Sequence, residues 1–363
     1  MQDPNSICVI TGAGGLIGSE AVRYFADKFD HVVGIDCDAR KEFFGEEASV
    51  RSSIAESEIL IDNFGNYNMD ISDKYAIEDL FMNYKDDIKL IIHCAAQPSH
   101  DWAASDPHRD FEVNALGTLN LLEAYRKYCP EAVFIFTSTN KVYGDSPNGI
   151  IQYRELVELD IRYESYETVS RFKIVPDLYD GIDESLSIDQ TTHSLFGVSK
   201  ASADLMVQEY GRYFGLKTGV FRGGCLTGPA HKGAEQHGFL SYLVKCIKNE
   251  IPYTVYGFGG KQVRDIIHSR DVVRAFDEFY KAPRPGEVYN VGGSRHSNCS
   301  VNEAIKLIEE RTGKQAIITY SDNARKGDHQ WYITDMSKFK SHYPSWNYTR
   351  TLEQIIDEII QSA

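Results

Sequence analysis

Basic residues are in the minority in this 363-residue sequence: 38 Lys and Arg stand against 53 Asp and Glu, which gives a formal net charge of −15. Nucleic acids and anionic membranes bind to broad basic surfaces, so this balance argues against both as partners. An anionic small molecule can still bind, but only where a few Arg or Lys side chains cluster. No apolar run approaches the ~18 residues of a membrane span, and no signal segment precedes "SICVITGAGGLIGS". We expect a soluble, cytoplasmic protein.

Paired cysteines and metal-binding patterns are also missing. The seven cysteines are scattered, odd in number and never spaced as CxxC. Such usage is typical of reduced, mostly buried thiols in a cytoplasmic protein. The histidines lack HxxxH-type spacing, so each is expected to be a core or loop residue and no metal site is predicted.

Apolar runs and helical patterns alternate through the first two-thirds of the chain. Short apolar runs bounded by turns predict buried parallel strands at 7–11, 31–36, 89–96, 132–139 and 216–224. Helix-period apolar residues predict helices at 16–28, 73–84, 110–128 and 197–214. This alternation indicates an α/β fold with a Rossmann-type, doubly wound parallel sheet.

The pattern changes near residue 225 to shorter, mixed elements with Gly- and Pro-rich joints. We therefore expect a Rossmann domain over 1–224 and a smaller mixed α/β substrate-binding domain over 225–363, with chain crossings between the two. A long polar, aromatic-rich insertion at 145–190 is either a functional lid or a surface excursion.

A glycine loop follows the first predicted strand and opens a helix. Gly12, Gly15 and Gly18 follow the spacing G-x-x-G-x-x-G. The first glycine permits a tight turn, the second lets backbone approach a pyrophosphate, and the third lets helix and strand pack closely. The helix N-terminus supplies amide groups and a partial positive charge. The loop thus predicts a dinucleotide site.

The second predicted strand ends in "GIDCDAR", where Asp36 lies 24 positions after Gly12. A carboxylate there can accept both hydroxyls of the adenosine ribose and would repel a 2′-phosphate, which favours NAD over NADP. Arg40 leaves NADP open, because an arginine can accommodate that phosphate. An alternative interpretation is that Asp36 is only a turn residue. Asp70 in "MDISD" is expected beside the adenine, and "HCAAQ" (93–97) ends a strand under the cofactor.

Hydroxyl residues and a lysine supply part of the chemistry for hydride transfer from a carbinol. "FTSTNKVYGD" presents hydroxyls at the C-terminal end of a strand, where ligands bind in open α/β sheets. Lys200 supplies a cation on the following helix, and Phe196 shares its helix face at i and i+4. The reaction also needs a base for the hydroxyl proton.

These segments resemble one family from end to end. "TGAGGLIGS", "HCAAQ", "NALGTLNLLEA", "STNKVYGD", "FGVSKASAD", "GKQVRDIIHSRDVV" and "YNVGG" occur in order, as in extended short-chain dehydrogenase/reductases of the nucleotide-sugar epimerase and dehydratase group. Within that group "STNKVYGD", "GIDES" and "KQVRDIIH" most resemble epimerases that act at C2 of a CDP-activated sugar.

The resemblance implies roles for individual residues. Thr139 matches the hydroxyl that bonds the reacting sugar oxygen, and Lys200 matches the lysine that binds the nicotinamide ribose and lowers the pKa of the catalytic phenol. Arg264 and Arg325 match the arginines that clamp the substrate diphosphate, with Asn140 beside the substrate. Cys225 stands where the family commonly has a sugar- or nucleotide-contacting Asn. The positions implied to contact NAD are Gly12, Gly15, Leu16, Ile17, Gly18, Asp36, Asp70, Ile71, Ala95, Ala96, Gln97, Asn114, Thr137 and Lys200.

The resemblance also implies a homodimer and a reaction by transient oxidation. The sugar is oxidised at C2, the keto-sugar turns over in its pocket, and reduction occurs on the opposite face. A C4-epimerase, a 4,6-dehydratase and a non-catalytic nucleotide-sugar or NAD binder are the alternatives. Dehydratases commonly carry an acidic pair beside the threonine, whereas Asn140 and Lys141 follow Thr139 here.

Phe196 occupies the position of the family's general-base tyrosine, and a benzyl ring cannot accept a proton. Loss of a positioned acid/base costs about 10²–10⁴-fold in rate. Three explanations are open: an engineered Tyr-to-Phe variant, a native Phe with another group such as Tyr143, His193 or Tyr163 as the acid/base, or lost catalysis with retained binding.

Overall fold

The computed structural model describes residues 5–150, 171, 180–233, 238–324 and 327–363. Most of the insertion expected as a lid, and Tyr163 within it, lie outside the described residues, as does Arg325. The contacts divide the chain into two compact units. Unit 1 comprises Met1–Thr139, Leu195–Arg222 and Val272–Tyr289, and unit 2 comprises Asn140–Ser194, Gly223–Asp271 and Asn290–Ala363. The chain thus passes from one unit to the other five times.

The strands alternate with helices along most of the chain. The strands are β1 Ile7–Thr11, β2 His31–Ile35, β3 Phe64–Tyr67, β4 Ile88–His93, β5 Val133–Thr139, β6 Lys217–Gly223, β7 Cys225–Thr227, β8 Tyr253–Tyr256, β9 Val263–His268, β10 Glu287–Val291, β11 Asn298–Ser300, β12 Ile318–Ser321 and β13 Trp331–Tyr332. The helices are α1 Leu16–Phe25, α2 Arg40–Phe44, α3 Arg51–Leu60, α4 Lys74–Tyr84, α5 His100–Ser105, α6 Pro107–Phe111, α7 Gly117–Tyr128, α8 Leu195–Phe214, α9 Phe239–Lys248, α10 Ser269–Lys281, α11 Val301–Thr312, α12 Ser337–His342 and α13 Leu352–Ser362.

Unit 1 is built on a seven-stranded sheet with the order β10-β6-β5-β4-β1-β2-β3. The pairings of β1 with β2 and with β4 are parallel, as are those of β2 with β3 and of β4 with β5. All five residues of β1 are buried, as expected for a central strand covered on both faces. The Rossmann-type, doubly wound α/β fold predicted from the sequence is confirmed.

The ends of the predicted elements differ from the observed ones in a few places. The strand predicted at 89–96 ends at His93, because the amide of Ala95 turns to donate to the Thr11 hydroxyl (3.1 Å). The helix predicted at 110–128 is interrupted by a π-helical turn, Glu112–Leu116. Strand β3 was not predicted from the sequence. It has four residues with mixed burial, which is too short for a recognisable strand pattern.

The core of unit 1 lies between the sheet and its helices. Its buried side chains include Val9, Ile91, Leu121 and Phe134, each with no exposed surface. Helix α4 begins at an N-cap, Asp73, whose carboxylate accepts from the amides of Tyr75 and Ala76.

Unit 2 contains shorter sheets and its own core. Strand β9 pairs with β7 and β13 in parallel and with β11 antiparallel, and β8 pairs with β12. Helices α9, α11 and α13 pack together around side chains such as Leu243, Ile308 and Ile356. Capping boxes begin α11 at Ser300 and α13 at Thr351. In the described part of the chain, no helix is both long enough and apolar enough to span a bilayer.

Candidate active site

The glycine loop between β1 and α1 is shaped by close backbone contacts. Gly12 has a φ of +68°, and a Cβ there would lie 2.8 Å from the amide nitrogen of Ala95. A Cβ on Gly18 would lie 2.0 Å from the carbonyl oxygen of Gly12, so helix and loop can pack only without a side chain. A Cβ on Gly15 would meet that same oxygen at 3.3 Å and no other described atom. The loop is therefore tight at Gly12 and Gly18 and less crowded at Gly15.

This loop fits a dinucleotide. Gly15 is the N-cap of α1 and has no side chain to accept hydrogen bonds from the first amides of the helix. Those amides and the positive end of the helix dipole favour a phosphate. Ile17 and Gly18 follow on the buried side of the helix, after Leu16.

Asp36 lies directly after β2 and faces the glycine loop. Its two carboxylate oxygens accept from the amides of Gly14 (2.9 Å) and Asp38 (2.8 Å). Burial raises the pKa of Asp36, while these two hydrogen bonds act in the opposite direction. Each oxygen keeps a second lone pair, which suits the two hydroxyls of a ribose. Arg40, the residue that raised the question of NADP, begins α2 nearby.

Asp70 forms an ion pair that the sequence reading did not find. Its Oδ2 accepts from Arg109 Nη2 at 2.5 Å, and its Oδ1 accepts from the amide and hydroxyl of Ser72, both at 2.8 Å. Although burial acts in the other direction, these donors lower the pKa of Asp70. Ile71, which follows it, is buried. The partners lie 39 residues apart, so no local pattern could have paired them.

A buried polar network links the end of β4 to the helix that carries Lys200. Asn114 Nδ2 lies 3.0 Å from the Gln97 carbonyl, the Asp110 carboxylate and the Ser199 hydroxyl. Gln97 in turn donates its amide to Asn114 Oδ1 at 2.9 Å. Asn114 lies in the π-helical turn, a feature frequently found at functional sites. Ala95 and Ala96 lie in the same loop, between β4 and Gln97.

Lys200 lies buried at the C-terminal part of β5. Its ammonium donates to the Thr137 carbonyl (2.9 Å) and stands 4.1 Å from the centroid of the Phe136 ring. Burial lowers the pKa of Lys200 to about 8, although nearby acidic groups act in the opposite direction. Thr139, the expected sugar-binding hydroxyl, is the last residue of β5. The structure thus brings Thr137, Thr139 and Lys200 to the same strand end.

Phe196 lies one helical turn before Lys200 and is 7% exposed. Its ring makes an edge-to-face contact with the imidazole of His100, with centroids 5.0 Å apart and an interplanar angle of 62°. His100 begins α5 and is partly buried. The sequence reading treated His100 as a core or loop residue, and no spacing pattern connects it to Phe196.

Two of the side chains considered as substitutes for the phenol are held by hydrogen bonds. Tyr143 is fully buried and its hydroxyl donates to Asn290 Oδ1 at 2.8 Å. His193 Nε2 lies 2.7 Å from the Val142 carbonyl oxygen. Both belong to unit 2. The third, Tyr163, lies outside the described residues.

Arg264 lies on β9 in unit 2 and pairs with Asp328. Its Nη2 donates to Asp328 Oδ1 at 2.5 Å, and Lys141 Nζ stands 3.8 Å from the same oxygen. Although burial acts against it, the charges of Arg264 and Lys141 hold the pKa of Asp328 well below its usual range. The cluster therefore carries two cations against one carboxylate, which leaves positive charge for an anionic ligand.

The two other substrate positions of unit 2 are polar but uncharged. Asn140 is buried in the 3₁₀ turn Asn140–Tyr143. Burial raises the pKa of the Cys225 thiol to about 12, so the thiol is neutral at physiological pH. Arg325, the expected partner of Arg264, lies outside the described residues.

Comparisons with known proteins find relatives over most of the chain. Residues 8–292 match the family model described as "NAD dependent epimerase/dehydratase family". CDP-paratose 2-epimerase of Salmonella typhi is 31% identical over 91% of both chains. A dTDP-glucose 4,6-dehydratase of Escherichia coli is 29% identical over 97% of this chain and 92% of its own.

Solved structures with lower sequence identity share the fold. A Tyr-to-Phe mutant of UDP-glucuronic acid 4-epimerase from Bacillus cereus, in complex with UDP-4-deoxy-4-fluoro-glucuronic acid and NAD, superposes with a TM-score of 0.77 at 23% identity, over 98% of each chain. UDP-glucose 4-epimerase of Thermus thermophilus, in complex with NAD, gives 0.76 at 23% identity over 98% of each chain. From the family model and the relative that is 31% identical, this chain belongs to the NAD dependent epimerase/dehydratase family, and its cofactor is NAD.

Proposed function

We propose that this protein epimerises a CDP-activated sugar at C2, with CDP-paratose as the model substrate, by transient oxidation and re-reduction on the opposite face. The observation that carries the proposal is the match to CDP-paratose 2-epimerase, at 31% identity over 91% of both chains. Lys200 donates to the carbonyl of Thr137, two residues before Thr139 on β5, which supports an oxidation at that point. The glycine loop and Asp36 support tight binding of the cofactor. Tight binding is required because the same cofactor molecule must take the hydride from the sugar and give it back.

The chain's own residues position the cofactor and the reacting hydroxyl. The chemistry that NAD supplies when bound is reversible uptake of a hydride from the carbinol carbon. The amides at Gly15 and the start of α1 hold the pyrophosphate, and Asp36 accepts the adenosine ribose hydroxyls. The Thr139 hydroxyl orients the sugar hydroxyl, while Lys200 holds the nicotinamide ribose and places a positive charge beside the reaction.

Cationic side chains of unit 2 are proposed to bind the diphosphate. Arg264 offers a planar guanidinium that suits a phosphate, and Lys141 stands beside the same carboxylate. Arg325 is proposed as a second guanidinium on the same group. The nucleotide would then stay bound while the keto-sugar turns over.

The match to 4,6-dehydratases makes dehydration the second candidate. Dehydration removes water across C5 and C6 and needs an acid and a base beside the threonine. The residues at that place are Asn140, which is buried, and Lys141, which donates to the Gly327 carbonyl at 2.9 Å and stands near Asp328. Neither is acidic, which favours epimerisation.

A homodimer is proposed as the active state. Leu116, Leu205 and Phe214 are apolar and between 45% and 49% exposed, and we propose that a second subunit covers them. Sedimentation of the purified protein at twice the mass of one chain would agree, and a single 41.0 kDa species would contradict this proposal.

Product analysis tests the proposed reaction. The purified protein is incubated with CDP-paratose, and the sugar products are identified by proton NMR beside a Lys200→Met control. We expect the C2 epimer, CDP-tyvelose, from the wild type and none from the control. No change in CDP-paratose would contradict the proposal. A 4-keto-6-deoxy product from CDP-glucose or dTDP-glucose would assign the protein to the dehydratases instead.

A further inference from the structure

The Phe196 ring packs against a side chain that can carry a proton. The imidazole of His100 meets that ring edge to face, with centroids 5.0 Å apart. Phe196 stands at the position of the family's catalytic phenol, one turn before Lys200. His100 therefore borders the place where the proton carrier is missing.

The backbone that presents His100 is held by the loop before it. The amide of Ser99 donates to Gln97 Oε1, and Gln97 Nε2 donates back to the Ser99 carbonyl at 2.9 Å and to Asp110 Oδ1 at 2.7 Å. Ser99 then caps α5 by accepting from the amide of Trp102 at 3.2 Å. Gln97 and Ser99 are both buried. The backbone position of His100 is thus held by its neighbours, which supports a catalytic side chain there.

The same network fixes the helix that carries Phe196. Asn114 Nδ2 lies 3.0 Å from both Asp110 Oδ1 and Ser199 Oγ, and the Ser199 hydroxyl donates to the Phe196 carbonyl at 3.0 Å. Asp110 also accepts a hydrogen bond from Gln97. It therefore connects the loop that precedes His100 with the helix that carries Phe196. The contact between the two rings rests on this shared hydrogen-bond network and on packing.

Other histidines of the described chain are less suited to the task. His93 is fully buried, and its ring nitrogens bond Thr11 Oγ1 (2.7 Å) and Thr118 Oγ1 (2.9 Å). His108 is exposed on α6. His100 as a whole is only partly buried, although its Nδ1 is buried.

We propose that His100 is the catalytic acid/base that replaces the phenol missing at position 196. This inference rests on the proposed function. An imidazole nitrogen takes the proton of the sugar hydroxyl while the C2–H bond breaks, and the hydride with its electron pair passes to NAD⁺ as the C=O bond forms. Return of that proton and hydride restores the alcohol with inverted configuration, so no further oxidant or reductant is needed.

The charges on the elements packed around α5 are compatible with this role. Lys200 on α8 carries a positive charge, and Asp110 on α6 and Asp101 on α5 carry negative ones. An imidazole can both accept and donate a proton in the physiological pH range, which a benzyl ring cannot do. A histidine base beside position 196 would therefore allow a phenylalanine there.

Four proteins test the inference: the wild type, His100→Gln, the matched control His108→Gln, and the double variant His100→Gln/Phe196→Tyr. Epimerisation of CDP-paratose is measured in single-turnover experiments, and CDP binding is measured by calorimetry. We expect His100→Gln to bind CDP normally and to react about 10²–10⁴-fold more slowly than His108→Gln. The double variant should recover at least tenfold, because a phenol again stands beside Lys200.

A second readout is independent of turnover. In the ¹⁵N-histidine-labelled NAD complex, the His100 ring signal is identified by its loss in His100→Gln. We expect that signal to shift when CDP-paratose is added but not when CDP is added, because only the former carries the sugar. An unmoved signal, or equal rates for His100→Gln and His108→Gln, would overturn the inference. A wild type that forms no CDP-tyvelose would instead contradict the proposed function.

Discussion

The glycine loop allows one prediction that separates cofactor binding from stability. Gly15 has φ −75° and ψ 176°, a conformation that alanine adopts without strain. A Cβ at this position meets only the Gly12 oxygen at 3.3 Å among the described atoms. Gly15→Ala should therefore leave the free energy of unfolding of the NAD-free protein within about 1 kcal/mol of the wild type, since the lower entropy of the unfolded chain offsets the poorer N-cap.

The same methyl group would occupy the place where the pyrophosphate approaches the backbone. Crowding of this kind costs about 1–3 kcal/mol, which is about 5- to 150-fold in the dissociation constant of NAD. Gly18→Ala should behave differently, because its Cβ would stand 2.0 Å from the Gly12 oxygen. It should lower the free energy of unfolding by at least about 1–3 kcal/mol and weaken NAD binding as well.

Gly65→Ala is the matched control. Gly65 is exposed in β3, and a Cβ there would meet no described atom within 4 Å, so both quantities should stay near wild type. Urea unfolding of the NAD-free proteins and calorimetric titration with NAD measure the two effects. The reasoning is refuted if Gly15→Ala binds NAD as tightly as Gly65→Ala, or if Gly18→Ala unfolds at the same urea concentration.

Two further predictions concern charged side chains. Burial lowers the pKa of Lys200 from 10.5 to about 8. Between pH 8 and pH 10.5 the unfolded chain therefore binds more protons than the folded one. The free energy of unfolding of the wild type should rise by up to about 3 kcal/mol from this group as pH increases over that range. Lys200→Met should lack this gain. The free energy of unfolding of the wild type should therefore rise relative to that of Lys200→Met between pH 8 and pH 10.5, as measured by urea unfolding at each pH. A difference that does not change with pH would contradict the lowered pKa of Lys200. Arg264→Gln should weaken CDP binding about 10- to 150-fold, since a charged hydrogen bond contributes about 1.5–3 kcal/mol. Arg311→Gln, which breaks an ion pair with Asp357, should bind CDP as the wild type does. Equal affinities of the two variants would count against a diphosphate role for Arg264.

The sheet and the glycine loop could be predicted because their signals are local in sequence. Strand β1 is a buried, mostly apolar run and β5 begins with one, and the loop that follows β1 is defined by three glycines at fixed spacing. Helix α8 could also be read, and with it the common face of Phe196 and Lys200. Short strands such as β3 gave no pattern, because four residues with mixed burial resemble a loop.

Contacts between distant segments account for what the sequence reading missed. The Asp70–Arg109 and Arg264–Asp328 pairs join residues 39 and 64 positions apart, and their formation depends on the fold rather than on spacing. The contact of His100 with Phe196 is of the same kind. Residues 272–289 belong to unit 1 although they follow the change of pattern near residue 225, since a strand joins a sheet through hydrogen bonds and not through proximity in sequence.

The fate of the hydrogen at C2 tests the central claim most directly. CDP-paratose deuterated at C2 is incubated with the purified protein in ordinary water, and the CDP-tyvelose formed is analysed by mass spectrometry and NMR. Transient oxidation and re-reduction within one bound complex predicts that the product keeps its deuterium at C2. Loss of the deuterium to solvent would contradict the account, because the hydrogen would then have left as a proton.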